Sequence, residues 1–198
     1  VGLFRDASVP IIFVPGNHDW KKGKSEGWQY IQNQQQWLDS LHLRHVRMLP
    51  EGGCPGPVEV VLSDGLVLLV IDSQWFLHPW NKPAGSESPC DVKEPADLFI
   101  QLQDMIRRHA GKQIVVAAHH PIFTYGEHGG EFTVKDHLFP LLDVNKNLYL
   151  PLPIVGSIYP FYRKIFGNIQ DVAHPVNKQY RQLMIELLEQ YPGIIYAN

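Results

Sequence analysis

Four consecutive residues, Gly16-Asn17-His18-Asp19, carry the densest chemistry in the sequence. The amide oxygen of Asn17 is a neutral, hard donor suited to a divalent cation. His18 beside it can donate a proton or meet an anion, and Asp19 can fix the His18 tautomer through the other ring nitrogen. Gly16 lets the backbone approach such a site closely. The same tetrapeptide also fits a polar turn whose side chains cap their own backbone. Far along the chain, His119 and His120 precede Pro121 and offer imidazole, the commonest metal-binding side chain. These two clusters form one site only where the fold joins two strand ends.

Each cluster follows a buried strand. Residues 9–14, Val-Pro-Ile-Ile-Phe-Val, form an apolar run closed by Pro15-Gly16, and residues 113–118 form a second run that delivers His119. In α/β folds, loops at the carboxyl ends of strands collect functional groups. Between the two runs, Trp28, Ile31, Leu38 and Leu41 recur at helical spacing over residues 25–41. Ser63-Asp64-Gly65 between apolar runs at 58–62 and 66–71 predicts a hairpin, with Asp72 at a strand end. Residues 73–95 read as irregular, residues 95–110 as a helix stopped at Gly111, and residues 138–142 as a short apolar segment. A proline-containing connection at 144–176 is long enough to imply a lid or docking role. Asn177 is a candidate N-cap for a helix reaching Tyr191, and residues 193–197 read as a closing strand. The mixed order predicts an α/β layered core rather than a bundle or a sandwich.

The 198 residues carry a formal charge of −3 and 19% charged side chains, a globular composition with a thin charge coat. No basic block resembles a phosphate-backbone footprint, so nucleic acid is excluded as the primary partner. The longest uncharged run, residues 147–162, holds Pro151, Pro153 and Pro160 and reads as a loop or lid, not a membrane span. Cys54 and Cys90 are compatible with one disulfide, two free thiols or no role. Trp20 and Trp28, near the first cluster, fit either a cleft wall or the core. His120 reads as a packing residue, Asp72 as a structural carboxylate, and His78 and His174, each followed by proline, as turn markers.

Gly16-Asn17-His18-Asp19 resembles the third motif of the calcineurin-like metallophosphoesterase superfamily. His119-His120-Pro121 resembles its fourth motif, in the His-x-Pro form of the purple acid phosphatases. His128, nine residues after His119 in Gly-Glu-His-Gly, is similar to a substrate-contacting histidine of the small acid phosphatases. The resemblance implies a partial four-layer α/β/β/α sandwich and hydrolysis of phosphate esters by two divalent or trivalent ions, Fe, Mn or Zn. By that resemblance Asn17 and His119 bind metal, His18 acts as acid or phosphate contact, Asp19 orients His18, and His128 touches the substrate.

The family's Asp-x-His and Gly-Asp motifs have no counterpart before Gly16, and its Gly-His-x-His motif has none after residue 197. The expectation is therefore the central part of one domain, residues 1–198, with an insertion at about 144–176 and only part of a metal shell. Such a fragment alone is expected to be inactive, in a parent that acts outside the cytoplasm. A metal-free relative serving as a protein-binding scaffold is the rival reading. A different zinc hydrolase is the other, and it lacks a helical His-Glu-x-x-His or a cysteine cluster.

Overall fold

The computed structural model describes residues 7, 9–124, 132–143, 145–152, 154–166 and 168–198. The chain divides into two compact units, residues 1–121 with 183–198, and residues 122–182.

The first unit holds both sheets. β1 (Ile11–Phe13) lies parallel to β2 (Val46–Met48), pairing Ile11 with Val46 and Phe13 with Met48. The second sheet runs β3-β4-β5-β6, from β3 (Val58–Ser63) and β4 (Leu66–Val70) to β5 (Gln113–Ala117) and β6 (Ile195–Ala197). The expected hairpin is the antiparallel β3–β4 pair, while β4–β5 and β5–β6 are parallel. Val67, Leu69, Ile114 and Val116, which share one face of the two central strands, are buried.

The helices bury apolar positions that recur on one face, one or two turns apart. α1 (Gly27–Ser40) buries Ile31 and Leu38. α2 (Ser73–Leu77) is a single buried turn whose Trp75 amide donates to the Asp72 carboxylate. α3 (Pro95–Arg108) has proline in its first turn and a capping box in which Asp97 accepts from the Glu94 amide. Its residues Leu98, Leu102 and Ile106, at i, i+4 and i+8, are buried. Gly111, at φ +92°, takes the left-handed conformation after this helix, so the expected stop stands.

Cys54 and Cys90 are joined by a disulfide, which settles the three options in favour of a bridge. It pins the irregular segment after α2 to the entrance of β3. Lys82 holds the same segment, donating from Nζ to the Trp75 and His78 carbonyls and lying 4.5 Å above the Trp75 ring.

In the second unit, α4 (Val134–Leu138) starts at a Thr133–Asp136 capping box, and α5 (Ile158–Phe166) lies inside the segment expected to be a proline-broken connection. Pro160 falls in the first turn of α5, where its missing N–H has no intrahelical partner to lose. α6 (Pro175–Gln190) begins two residues before the expected N-cap. Asn177 is therefore inside the helix, where its buried Nδ2 donates to the Gln170 carbonyl; the Val176 amide instead donates to His174 Nδ1 at 3.3 Å. Among the described residues, no helix is long and apolar enough to cross a membrane.

Candidate functional site

The chain leaves β1 through Val14 and Pro15 and turns sharply at Gly16. The Asp19 and Trp20 amides both donate to the Gly16 carbonyl, at 3.1 and 3.3 Å, and the Lys22 amide donates to the Asn17 carbonyl at 2.7 Å. Asp19 closes the turn from the other side, its Oδ2 accepting the Gly16 amide at 2.8 Å. For Asp19 the backbone-capping role anticipated for such a turn is present. Among the described residues no hydrogen bond joins Asp19 to His18, so this carboxylate shapes the loop on which His18 stands. His18 is exposed, and Asn17 is half-buried.

His119 follows β5 and Ala118, and it reaches the same turn. A β-carbon on Gly16 would lie 2.7 Å from His119 Nδ1, 2.8 Å from Cε1 and 2.9 Å from Cγ. The imidazole therefore lies against the bare Cα of Gly16, a position open only to glycine. Desolvation on this side lowers the His119 pKa; the Asp19 carboxylate opposes that shift and His18 adds to it. His119 thus shares its field with two members of the first cluster. The fold joins the two strand ends.

His120 is turned inward. It is buried, with Nδ1 2.8 Å from Ser73 Oγ, its amide donating to the same oxygen at 3.0 Å, and its carbonyl accepting from Tyr196 Oη at 2.6 Å. Its ring meets His119 edge to face at 5.0 Å. His120 packs under the site. His128 lies outside the described residues.

Trp20 resolves the choice between cleft wall and core: it is fully buried, 4.7 Å from the His78 ring, and Nε1 donates to Asp72 Oδ2 at 2.7 Å. Trp28 is half-buried and donates to the Gly52 carbonyl. His78, more than a turn marker, is a buried ring whose nitrogens have no hydrogen-bond partner among the described residues. Burial, helped by Lys82, pushes it down to about 4.

Burial also drives the Asp72 carboxyl up to about 7, against hydrogen bonds from Trp20, Trp75 and Gln74; the nearby Asp19 charge raises it further. The folded protein then keeps a proton that the unfolded chain releases above about pH 4. Asp72 consequently withdraws stability as pH rises from about 4 to about 7, and its full cost stands above that window. Asp72→Asn, which cannot titrate, is expected to show a more positive pH slope of its urea midpoint than the parent between pH 4 and 7. His78 titrates with the opposite sign in part of that range but equally in both proteins, so their difference isolates Asp72. Parallel pH profiles would refute the assignment.

Asn17 and His119 together offer one amide oxygen and one imidazole, a donor pair suited to a divalent transition metal. Among the described residues no hydrogen bond occupies either side chain, and no three of His, Cys, Asp and Glu cluster to hold an ion. They fit part of a metal's coordination shell, not a closed one.

A mixed α/β sheet whose strand-end loops present open oxygen and imidazole donors beside an exposed histidine is an arrangement that metal-assisted hydrolases use. Residues 1–150 match the family model of the calcineurin-like phosphoesterases, and the chain belongs to that family. The mixed α/β fold is of the metallophosphoesterase type, and the family connects it to metal-dependent hydrolysis of phosphate esters. Among curated proteins and among solved structures, none matches the chain.

Proposed function

We propose that this protein is a phosphomonoesterase of the acid-phosphatase type, working with a dinuclear centre of Fe, Mn or Zn. The observation that carries the reading is the packing of His119 against Gly16, which sets the His-x-Pro motif beside the Gly-Asn-His-Asp motif. Asn17 and His119 are the residues that hold metal. When bound, the ions lower the barrier to water attack on phosphorus and neutralise the phosphoryl oxygens. His18, exposed at the apex of the turn, hands a proton to the leaving alkoxide. Asp19 keeps the turn closed through the Gly16 amide, and so keeps His18 in place. His128 is assigned to the substrate phosphate. The Cys54–Cys90 bridge supports an oxidising location outside the cytoplasm, where disulfides persist.

The test is hydrolysis of p-nitrophenyl phosphate by the full-length protein, assayed with Mn, Fe and Zn salts. Metal-dependent turnover that disappears on chelation and in His119→Ala is the expected result. An extended reading frame without Asp-x-His upstream and Gly-His-x-His downstream, or turnover indifferent to chelation, would overturn the reading.

A further inference from the structure

Two adjacent residues at the start of α2, its N-cap Asp72 and its first residue Ser73, are both fully buried. A buried carboxylate and a buried hydroxyl are costly unless their hydrogen bonds are made, so their partners indicate what they do. The Asp72 carboxyl accepts from the Trp20 indole at 2.7 Å and the Trp75 amide at 3.1 Å, with the Gln74 amide as a third partner. Trp20 is the residue that closes the Gly16–Trp20 turn, its amide donating to the Gly16 carbonyl. The Ser73 partners are Nδ1 and the backbone amide of His120, at 2.8 and 3.0 Å. His120 in turn supports His119 edge to face at 5.0 Å, and His119 lies against Gly16. The contacts therefore close a ring, from Asp72 through Trp20 and the Gly16 turn to His119, and back through His120 to Ser73.

We propose that Asp72 and Ser73 are positioning residues that brace the two site loops from one rigid point, Asp72 through the Trp20 indole and Ser73 through the His120 imidazole. The proposal rests on the reading of these loops as a metal site and adds residues that touch neither metal nor substrate. Sequence separations of 52 and 47 residues make both links tertiary, so neither loop is set by its own local turn chemistry alone. Supports of this kind orient metal ligands, and their loss costs about 10- to 100-fold in metal affinity.

The experiment compares the full-length protein with its Trp20→Phe, Ser73→Ala, His120→Ala and His120→Asn variants. Two readouts are used: amide hydrogen exchange without metal, and titration with Mn²⁺. Trp20→Phe is expected to speed exchange at the Asp19, Lys21 and Lys22 amides, with the His120 amide unchanged. Ser73→Ala is expected to do the reverse. Each variant should weaken Mn²⁺ binding about 10-fold while the chain stays folded. His120→Asn, which keeps a polar atom in the δ position for Ser73, should bind Mn²⁺ more tightly than His120→Ala. Exchange that rises equally at both loops, or Mn²⁺ affinity unchanged in folded variants, would overturn the brace. A full-length protein that binds no Mn²⁺ would instead overturn the metal reading, and the exchange arm would still decide the brace. If Trp20→Phe fails to fold, Asp72→Leu, which offers the indole no acceptor, takes its place in the first arm.

Discussion

Replacing Gly16 by alanine is expected to lower Mn²⁺ affinity about 10- to 100-fold, the range seen when support for a ligand histidine is lost. The backbone itself tolerates alanine, because Gly16 is not in the left-handed region. The obstacle is the added methyl, which would stand less than 3 Å from three atoms of the His119 ring. A contact with one flexible chain end could be relieved by a small rotation; a contact with the ring itself requires His119 to leave its place. Overpacking of this kind costs about 1–3 kcal/mol of stability. The stability part is separable by a double-mutant cycle. In a His119→Ala background the ring is gone, so Gly16→Ala should cost much less than it does alone. Additive costs in thermal melts, or parent-like Mn²⁺ titration of Gly16→Ala, would show that the two motifs do not meet as described.

Legibility from sequence followed the length and patterning of each element. α3 was readable because proline at its start, an acidic capping pair, three apolar positions on one face and a following glycine all agree. The β3–β4 hairpin was readable from Asp64-Gly65 between apolar runs. β2 was not, because Val46-Arg47-Met48 is three residues long and gains its strand state only by pairing with β1. α2 was hidden inside a segment rich in turn residues, and it exists as one turn because Asp72 caps it and the core accepts Trp75, Phe76 and Leu77. α5 was masked by prolines whose position, not number, matters to a helix.

At the candidate site, the motifs are visible in the sequence and their mutual packing is not. Gly16, Asn17, His18 and His119 stood out by type and order. The structure adds that Gly16 is small because an imidazole lies on it. The resemblance has Asp19 orient His18; the structure adds that its carboxylate accepts the Gly16 amide. Trp20, Asp72 and Ser73 carried one weak signal, a carboxylate directly after an apolar strand; nothing local could reveal that it meets an indole 52 residues away.

His18→Ala is expected to reduce turnover of alkyl phosphomonoesters by about 10²- to 10⁴-fold, the contribution of a positioned general acid. The loss should be far smaller for p-nitrophenyl phosphate, whose nitrophenolate departs without needing a proton. His18 is exposed, so its truncation removes little packing and should move the melting midpoint only slightly. The turn that carries it is held by backbone bonds from Asp19, Trp20, Lys21 and Lys22 and by the Asp19 carboxylate, none of which uses the imidazole. The variant therefore tests chemistry with the loop intact. The two substrates separate the two roles open to this histidine. A general acid is missed in proportion to the basicity of the leaving group, whereas a phosphate contact is missed equally with both esters, since both present the same phosphoryl oxygens. Equal losses would assign His18 to phosphate binding, and undiminished turnover of both would remove it from the site.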